Sequence, residues 1–315
     1  MTTPSINPRP VPRVSVDELR YVDFVRRFVM TGTPVILTGF GGEGVARRRW
    51  SLDYFREHLD LDEVVIVQME RASGIIRGQG RLGAVLSKVG SADPERDYKI
   101  YLSSWSFSSH NPRLSEDYEV PSFFDLDRSA DLGLDLNWIY IGEDGTGSSP
   151  HLDTIASSAW LQLFTGEKHW RFLHQDEHEE FVDESNPKSL FDLVPAQLRP
   201  GSRFYAATQH PGEIMWTPSG LVHEVRNSFC TIAVTHNYVD ATNIVEVLDD
   251  SEVWDRDDSA AALEGDKLPA LLRRIWAQTA AQQPEAWPMI EGFVRSRARR
   301  ATRPGIRDVI FSSLS

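Results

Sequence analysis

The chain has 315 residues, enough for one large domain with an appendage or for two ordinary domains, and 41% hydrophobic content with nine tryptophans supports a packed core. Thirty-three basic against 46 acidic residues give a net charge of −13, which argues against sequence-independent binding to nucleic acid and suits a small molecule or a basic polypeptide. The single cysteine, Cys230, excludes an internal disulfide and a thiolate zinc cluster, and no apolar run approaches membrane-spanning length, so the expectation is a reducing, cytoplasmic setting with no membrane association.

Residues 1–13 hold four prolines and no periodicity, and read as a flexible arm. Ser15 stands three residues before Glu18, a capping box that predicts a helix with Leu19, Val22, Phe24 and Phe28 on its apolar side. A short buried strand follows at 34–37, closed by Gly39 and the Gly41-Gly42 pair, then a helix from Ser51 and a strand over 63–68. Leu82, Val85, Leu86 and Val89 fall at i, i+3, i+4 and i+7, a third amphipathic helix. Residues 98–103 alternate as a strand, with Lys99, Tyr101 and Ser103 on one face. The loop-rich segment 104–136 leads to a strand over 137–141, which runs into the glycine-rich loop 142–147.

Beyond that loop, 160–164 and 168–173 predict a hairpin turning through Thr165-Gly166-Glu167, with Lys168, Trp170 and Phe172 on one face. Residues 174–200 are polar and charged, a surface excursion in which His174 and His178 read as part of a solvated helical face. Strands at 214–217, 221–225 and 230–238 complete the series. After an acidic stretch, amphipathic helices are predicted around 268–276 and 289–299. Closely spaced strands over 98–240 with helices on either side predict a mostly β fold with flanking helices, a sandwich or barrel whose interior can hold a ligand.

His151 and Asp153 are two residues apart, so on an extended strand both leave the same face. His223 follows the turn-like Thr217-Pro218-Ser219-Gly220. Two imidazoles and one carboxylate on one side of a metal leave its other side open, the facial arrangement of non-haem Fe(II) oxygenases. The plain alternative is a surface histidine beside a surface aspartate. Lys168, set among Trp160, Leu161, Leu163, Phe164, Trp170 and Phe172, is costly to bury unless an anion meets it. The other reading leaves it in solvent at the mouth of a hairpin. Thr235 and Tyr101 are candidate hydroxyl partners for such an anion, or ordinary strand residues. By alternation His236 points away from Thr235 and is structural.

The run from His151 to Trp160, then Gly166-Glu167-Lys168-His169-Trp170, resembles the core of the Jumonji-C (cupin-like) Fe(II)/2-oxoglutarate oxygenases. Residues 211–220 with His223 and 231–238 resemble that family's second motif, and 116–124 is similar to a segment of the branch containing the lysyl hydroxylase once described as a phosphatidylserine receptor. The likeness runs from about Pro34 to Asp240, with its motifs between 149 and 238. It implies a double-stranded β-helix (jelly-roll) core with N-terminal α/β elements. It also implies Fe(II) held by His151, Asp153 and His223, with O₂ and 2-oxoglutarate as co-substrates. Lys168 and Thr235 would anchor 2-oxoglutarate, with Tyr101 and Asn237 near it. Leu161 departs from the pattern, since many relatives carry an asparagine beside the aromatic at Trp160. The organisation expected is an arm over 1–13, a catalytic domain over 14–240 with its core at 98–240, and a helical extension over 241–315 that in several relatives supports a homodimer. The activity implied is hydroxylation of a polypeptide side chain or a small amino-acid-like substrate, releasing succinate and CO₂. A non-catalytic binding or regulatory module, or a cupin metal enzyme without 2-oxoglutarate, is the alternative.

Overall fold

The structure, a computed structural model, describes residues 8–41, 44–174, 189–193, 198 and 202–314. In chain order the strands among them are β1 (Arg9–Pro10), β2 (Arg13–Ser15), β3 (Val35–Thr38), β4 (Val64–Arg71), β5 (Gly74–Arg81), β6 (Lys99–Trp105), β7 (Asn137–Gly142), β8 (Gly147–His151), β9 (Ser158–His174), β10 (Phe204–Gln209), β11 (Ile214–Thr217) and β12 (Leu221–Tyr238). Helices α1 (Tyr21–Phe24), α2 (Val45–Arg49), α3 (Leu52–His58) and α4 (Leu82–Lys88) lie among the early strands. Helices α5 (Ile244–Asp249), α6 (Glu252–Asp255), α7 (Asp257–Leu263), α8 (Lys267–Gln282), α9 (Trp287–Ala298) and α10 (Ile306–Ser313) follow the last strand.

β9 and β12 pair antiparallel along nearly their whole length, and each serves two sheets. The first half of β9 pairs with β11 and the second half of β12 with β7, which builds a large sheet in the order β2-β3-β11-β9-β12-β7-β6-β4-β5. The remaining halves pair with β10 and β8, and β1 adds to β10, which builds a smaller sheet. The result is a double-stranded β-helix, a mostly β jelly roll with helices outside it.

Three apolar layers follow from the alternation of side chains. Between the sheets lie Ile36, Leu161, Leu163, Ala233 and Met215 from the large sheet against Trp170, Phe172, Tyr205, Leu221 and Val225 from the small one. The outer face of the large sheet, with Trp160, Phe164, Ile232 and Val234, packs under the helices. The outer face of the small sheet packs Leu173, Phe204 and Val222 against Leu190 and Leu198.

The expected hairpin over 160–173 is instead a single bent strand. Leu161 and Leu163 face the interior, and so do Lys168, Trp170 and Phe172. Odd and even positions cannot share a face on an unbroken strand, so an extra residue must be absorbed between them. It is taken up at Phe164, between Leu163 opposite Ala233 and Thr165 opposite Ile232, and two residues on Gly166 bends the strand with a left-handed φ of 73°. A Cβ there would stand 2.7 Å from the Cys230 carbonyl oxygen, so only glycine permits the bend. A periodicity reading sees glycine between two apolar runs and infers a turn. What rules the turn out is β12, whose long-range pairing holds both runs in one ribbon.

Other expectations are corrected in the same way. Ser15 does cap a helix, accepting from the Asp17 amide, but that piece is one 3-10 turn over Val16–Glu18, and the chain turns helical again only at Tyr21. Within the stretch expected to be a flexible arm, Arg9–Pro10 pairs with Tyr205 and Ala206, and Val11 is buried. Residues 1–7, and His178 with most of the polar excursion, lie outside the described residues. The strand β5 escaped the pattern because Gly74–Arg81 is glycine-rich and mostly exposed.

Candidate metal and dicarboxylate site

The β8 strand reaches the interior through its pairing with β12, which sets His151 directly opposite His223. Their ring centroids are 4.2 Å apart. Each imidazole is aimed from behind by a backbone carbonyl two residues earlier in its own strand: His151 Nδ1 lies 2.8 Å from Ser149 O, and His223 Nδ1 lies 3.1 Å from Leu221 O. A carbonyl only accepts, so each Nδ1 carries the proton and each Nε2 keeps a free lone pair. Burial, and then the neighbouring His223, push His151 down to about 4, so the ring is neutral near pH 7.

Asp153 completes the group. One donor atom from each of His151, Asp153 and His223 can be chosen so that all lie within 4.8 Å of one another. Asp153 Oδ2 is buried without a hydrogen-bond partner. A buried carboxylate oxygen left unpaired is costly, and it is the kind of acceptor a cation would satisfy. The donor set of two imidazoles and a carboxylate suits a divalent transition metal with open positions. Asp153 is held by the turn Thr154–Ala156, in which Ile155 and Ala156 take left-handed φ values of 51° and 50°. Glu252 of α6 fastens that turn, accepting from Thr154 Oγ1 at 2.9 Å and from the Ile155 amide at 3.0 Å. A branched residue in that conformation is strained and persists because its surroundings hold it.

Lys168 lies at the bend end of the same cleft and is 0% exposed. Its Nζ donates to Asn227 Oδ1 at 2.9 Å and sits 5.5 Å and 5.8 Å from the ring centres of Tyr101 and Tyr140. Burial alone lowers its ammonium to about 7. Lys168 faces Asn227 across the ribbon, four residues from His223, so the two ends are separated by roughly 13 Å of strand. The side chains reach inward from both ends and shorten that gap.

All seven residues singled out from the sequence line this one cleft: His151, Asp153, His223, Lys168, Thr235, Tyr101 and Asn237. About 420 Å³ among its walls, counting the open mouth, is unfilled by atoms. Thr235 Oγ1 donates to Trp160 O at 3.0 Å, and Asn237 Nδ2 donates to Ser157 Oγ at 3.0 Å. Leu161 takes a place on the wall, so that stretch of it is apolar. His236 lies outside, stacked on Trp160 at 4.4 Å and bonded to the Tyr118 hydroxyl at 2.7 Å. Sequence reasoning missed Tyr140, Ser148 and Asn227. Asn227, which meets the site through the Lys168 ammonium, was legible in principle, since it continues the alternation of His223 and Val225, but Arg226-Asn227-Ser228 reads as a turn.

Comparison with known proteins agrees with this geometry. Residues 138–238 match the family described as JmjC domain, hydroxylase. The chain is 28% identical over 264 residues to the bifunctional arginine demethylase and lysyl-hydroxylase psr-1 of Caenorhabditis briggsae, covering 76% of this chain and 65% of that one. It is 30% identical over 241 residues to the arginine-specific demethylase JMJ22 of Arabidopsis thaliana, covering 72% and 46%. It is 26% identical over 259 residues to the 2-oxoglutarate and iron-dependent oxygenase JMJD4 of Mus musculus, covering 71% and 59%. The chain thus spans about half to two thirds of the length of these relatives. No helix among the described residues is long and apolar enough to cross a membrane. Residues 138–238 of this chain, β7 through β12 of its double-stranded β-helix, carry the match to the JmjC domain.

Proposed function

We propose that this chain is an Fe(II)- and 2-oxoglutarate-dependent hydroxylase. One observation carries the reading: a single cleft joins a carboxylate with one buried, unpaired oxygen, two imidazoles whose Nδ1 atoms are engaged by carbonyls and a fully buried ammonium. His151, Asp153 and His223 would hold the metal, and Lys168 would meet the distal carboxylate of the co-substrate. Iron with 2-oxoglutarate and O₂ supplies the insertion of one oxygen atom into a substrate C–H bond, with release of succinate and CO₂. The chain's own part is positional. The Ser149 and Leu221 carbonyls keep both imidazoles in the ligating tautomer, and Trp170, Val225 and Leu161 keep water from the space between the two ends.

For the substrate, the relatives named as arginine demethylase and lysyl-hydroxylase support a polypeptide presenting a basic side chain, and the net charge of −13 suits such a partner. The single cysteine fits a reducing, cytoplasmic setting. Anaerobic titration with Fe(II) and 2-oxoglutarate is expected to give the weak visible charge-transfer band of the chelate. Arrayed lysine- and arginine-containing peptides are then expected to stimulate succinate release and gain 16 mass units, a single oxygen atom. A chain that binds neither metal nor 2-oxoglutarate under these conditions would sink the assignment.

A further inference from the structure

A buried lysine that waits for an anion needs a partner in the meantime, and the identity of that partner decides what the site can bind. A carboxylate would neutralise it, and no partner at all would drive the proton off. Here the partner is an amide. Lys168 Nζ donates to Asn227 Oδ1 at 2.9 Å, and Asn227 is itself only 2% exposed. Burial is the one cause that shifts Lys168, so no charged neighbour contributes.

The orientation of that amide follows from its other contacts. Asn227 Nδ2 donates to Thr146 Oγ1 at 3.0 Å. The Thr146 hydroxyl spends its one proton on the Glu143 carbonyl at 2.7 Å, so towards Asn227 it can only accept. The nitrogen of the amide must therefore face Thr146, and the oxygen must face the ammonium. The backbone is clamped to the same loop: Asn227 N donates to Thr146 O at 2.7 Å, and Gly145 N donates to Asn227 O at 2.8 Å. Gly142 leaves the room this requires, because a Cβ there would stand 2.2 Å from Asn227 Nδ2. Three residues of the β7–β8 connection and the last residue of β7 thus hold a single acceptor in place.

We infer that Asn227 is the positioning residue of the dicarboxylate site: a neutral acceptor, locked by Thr146 over Gly142, that fixes the Lys168 ammonium without cancelling its charge. The ammonium has three donors and Asn227 occupies one, which leaves donors for an incoming carboxylate. Aspartate at 227 would be nearly the same shape but would pair with Lys168 and repel the anion. This inference rests on the 2-oxoglutarate reading and sharpens it by assigning the residue that keeps the cation available.

The test measures binding rather than turnover. Wild type, Asn227→Asp, Thr146→Val and Thr146→Ser are loaded with Zn(II), which does not activate O₂, and titrated calorimetrically with 2-oxoglutarate. Binding of Mn(II), followed by its magnetic resonance signal, reports the metal end separately. Asn227→Asp is expected to lose about a hundredfold in 2-oxoglutarate affinity with Mn(II) affinity unchanged. Thr146→Val, which frees the amide to flip, is expected to lose about tenfold, and Thr146→Ser to recover wild-type affinity. The threonine pair decides the matter if the aspartate variant does not fold. Wild-type binding together with undiminished affinity in Asn227→Asp or Thr146→Val overturns the inference alone. A wild-type protein that takes up metal but no 2-oxoglutarate overturns the oxygenase reading as well.

Discussion

At the His151 end of the cleft, acceptors are held with nothing to accept from: Asp153 Oδ2 has no partner, and both Nε2 atoms are left open while their Nδ1 protons are engaged. At the Lys168 end the ammonium is met, but only by a neutral amide and the faces of two tyrosines. The difference follows from what each end awaits. A cation needs several unsatisfied lone pairs converging on one point, which small, stiff side chains on adjacent strands can hold. An anion needs a charge kept alive in a dry place, which requires a partner that bonds without neutralising. If this contrast is right, the two ends fail independently.

The largest effect is expected from removing a metal ligand. Asp153→Ala should lower Mn(II) affinity beyond the roughly 10–100-fold typical of changes to residues behind the ligands, and should abolish succinate formation. Equilibrium dialysis with metal analysis checks the first, and product quantification the second. Full turnover with Asp153 gone would break the contrast at that end.

Lys168→Met is next. It should weaken 2-oxoglutarate about a hundredfold while leaving Mn(II) binding intact. Because a buried charge is exchanged for an apolar chain of similar length, thermal stability should hold or rise. A sharp fall in melting temperature would mean that the ammonium is structural.

The third effect is a pH dependence. Lys168 is lowered to about 7 by burial, so above that pH an increasing fraction is neutral in the free protein and has nothing to offer a carboxylate. Affinity for 2-oxoglutarate should therefore fall as pH rises from 7, by up to about tenfold per pH unit. The other groups facing it do not confuse the profile: Tyr101 is raised by burial and Tyr140 is pushed up to about 12, so both hydroxyls stay neutral. His151, Asp153 and His223 stand at the opposite end. Calorimetry between pH 6 and 9, about a unit or two to either side of that value, gives the slope. A flat profile would place the ammonium's proton well outside this range.

The smallest effect tests whether the metal end depends on the helices after the barrel. Glu252→Gln keeps the size of the side chain but weakens its hold on Thr154 and Ile155. Metal affinity should drop about threefold to tenfold, with 2-oxoglutarate affinity in the metal-saturated protein unchanged. An equal loss of both would show that the whole fold had loosened.

Much of this was legible in the sequence. His151-x-Asp153 declared a shared face, Lys168 in an apolar run declared an unpaid electrostatic cost, and helices such as Lys267–Gln282 showed in their apolar spacing. These are local properties, because side-chain chemistry and a period of two or 3.6 residues are complete within a short window. What the window could not contain was decided by tertiary structure. That 158–174 is one bent strand depends on β12, more than fifty residues later. That Asn227 turns its oxygen to Lys168 depends on where the Thr146 proton goes. That Glu252 fastens the turn after Asp153 depends on a contact reaching 98 residues along the chain from Thr154. The residues able to do the chemistry are set by composition and spacing, whereas which partner each one meets is set by strands and helices brought together across the chain.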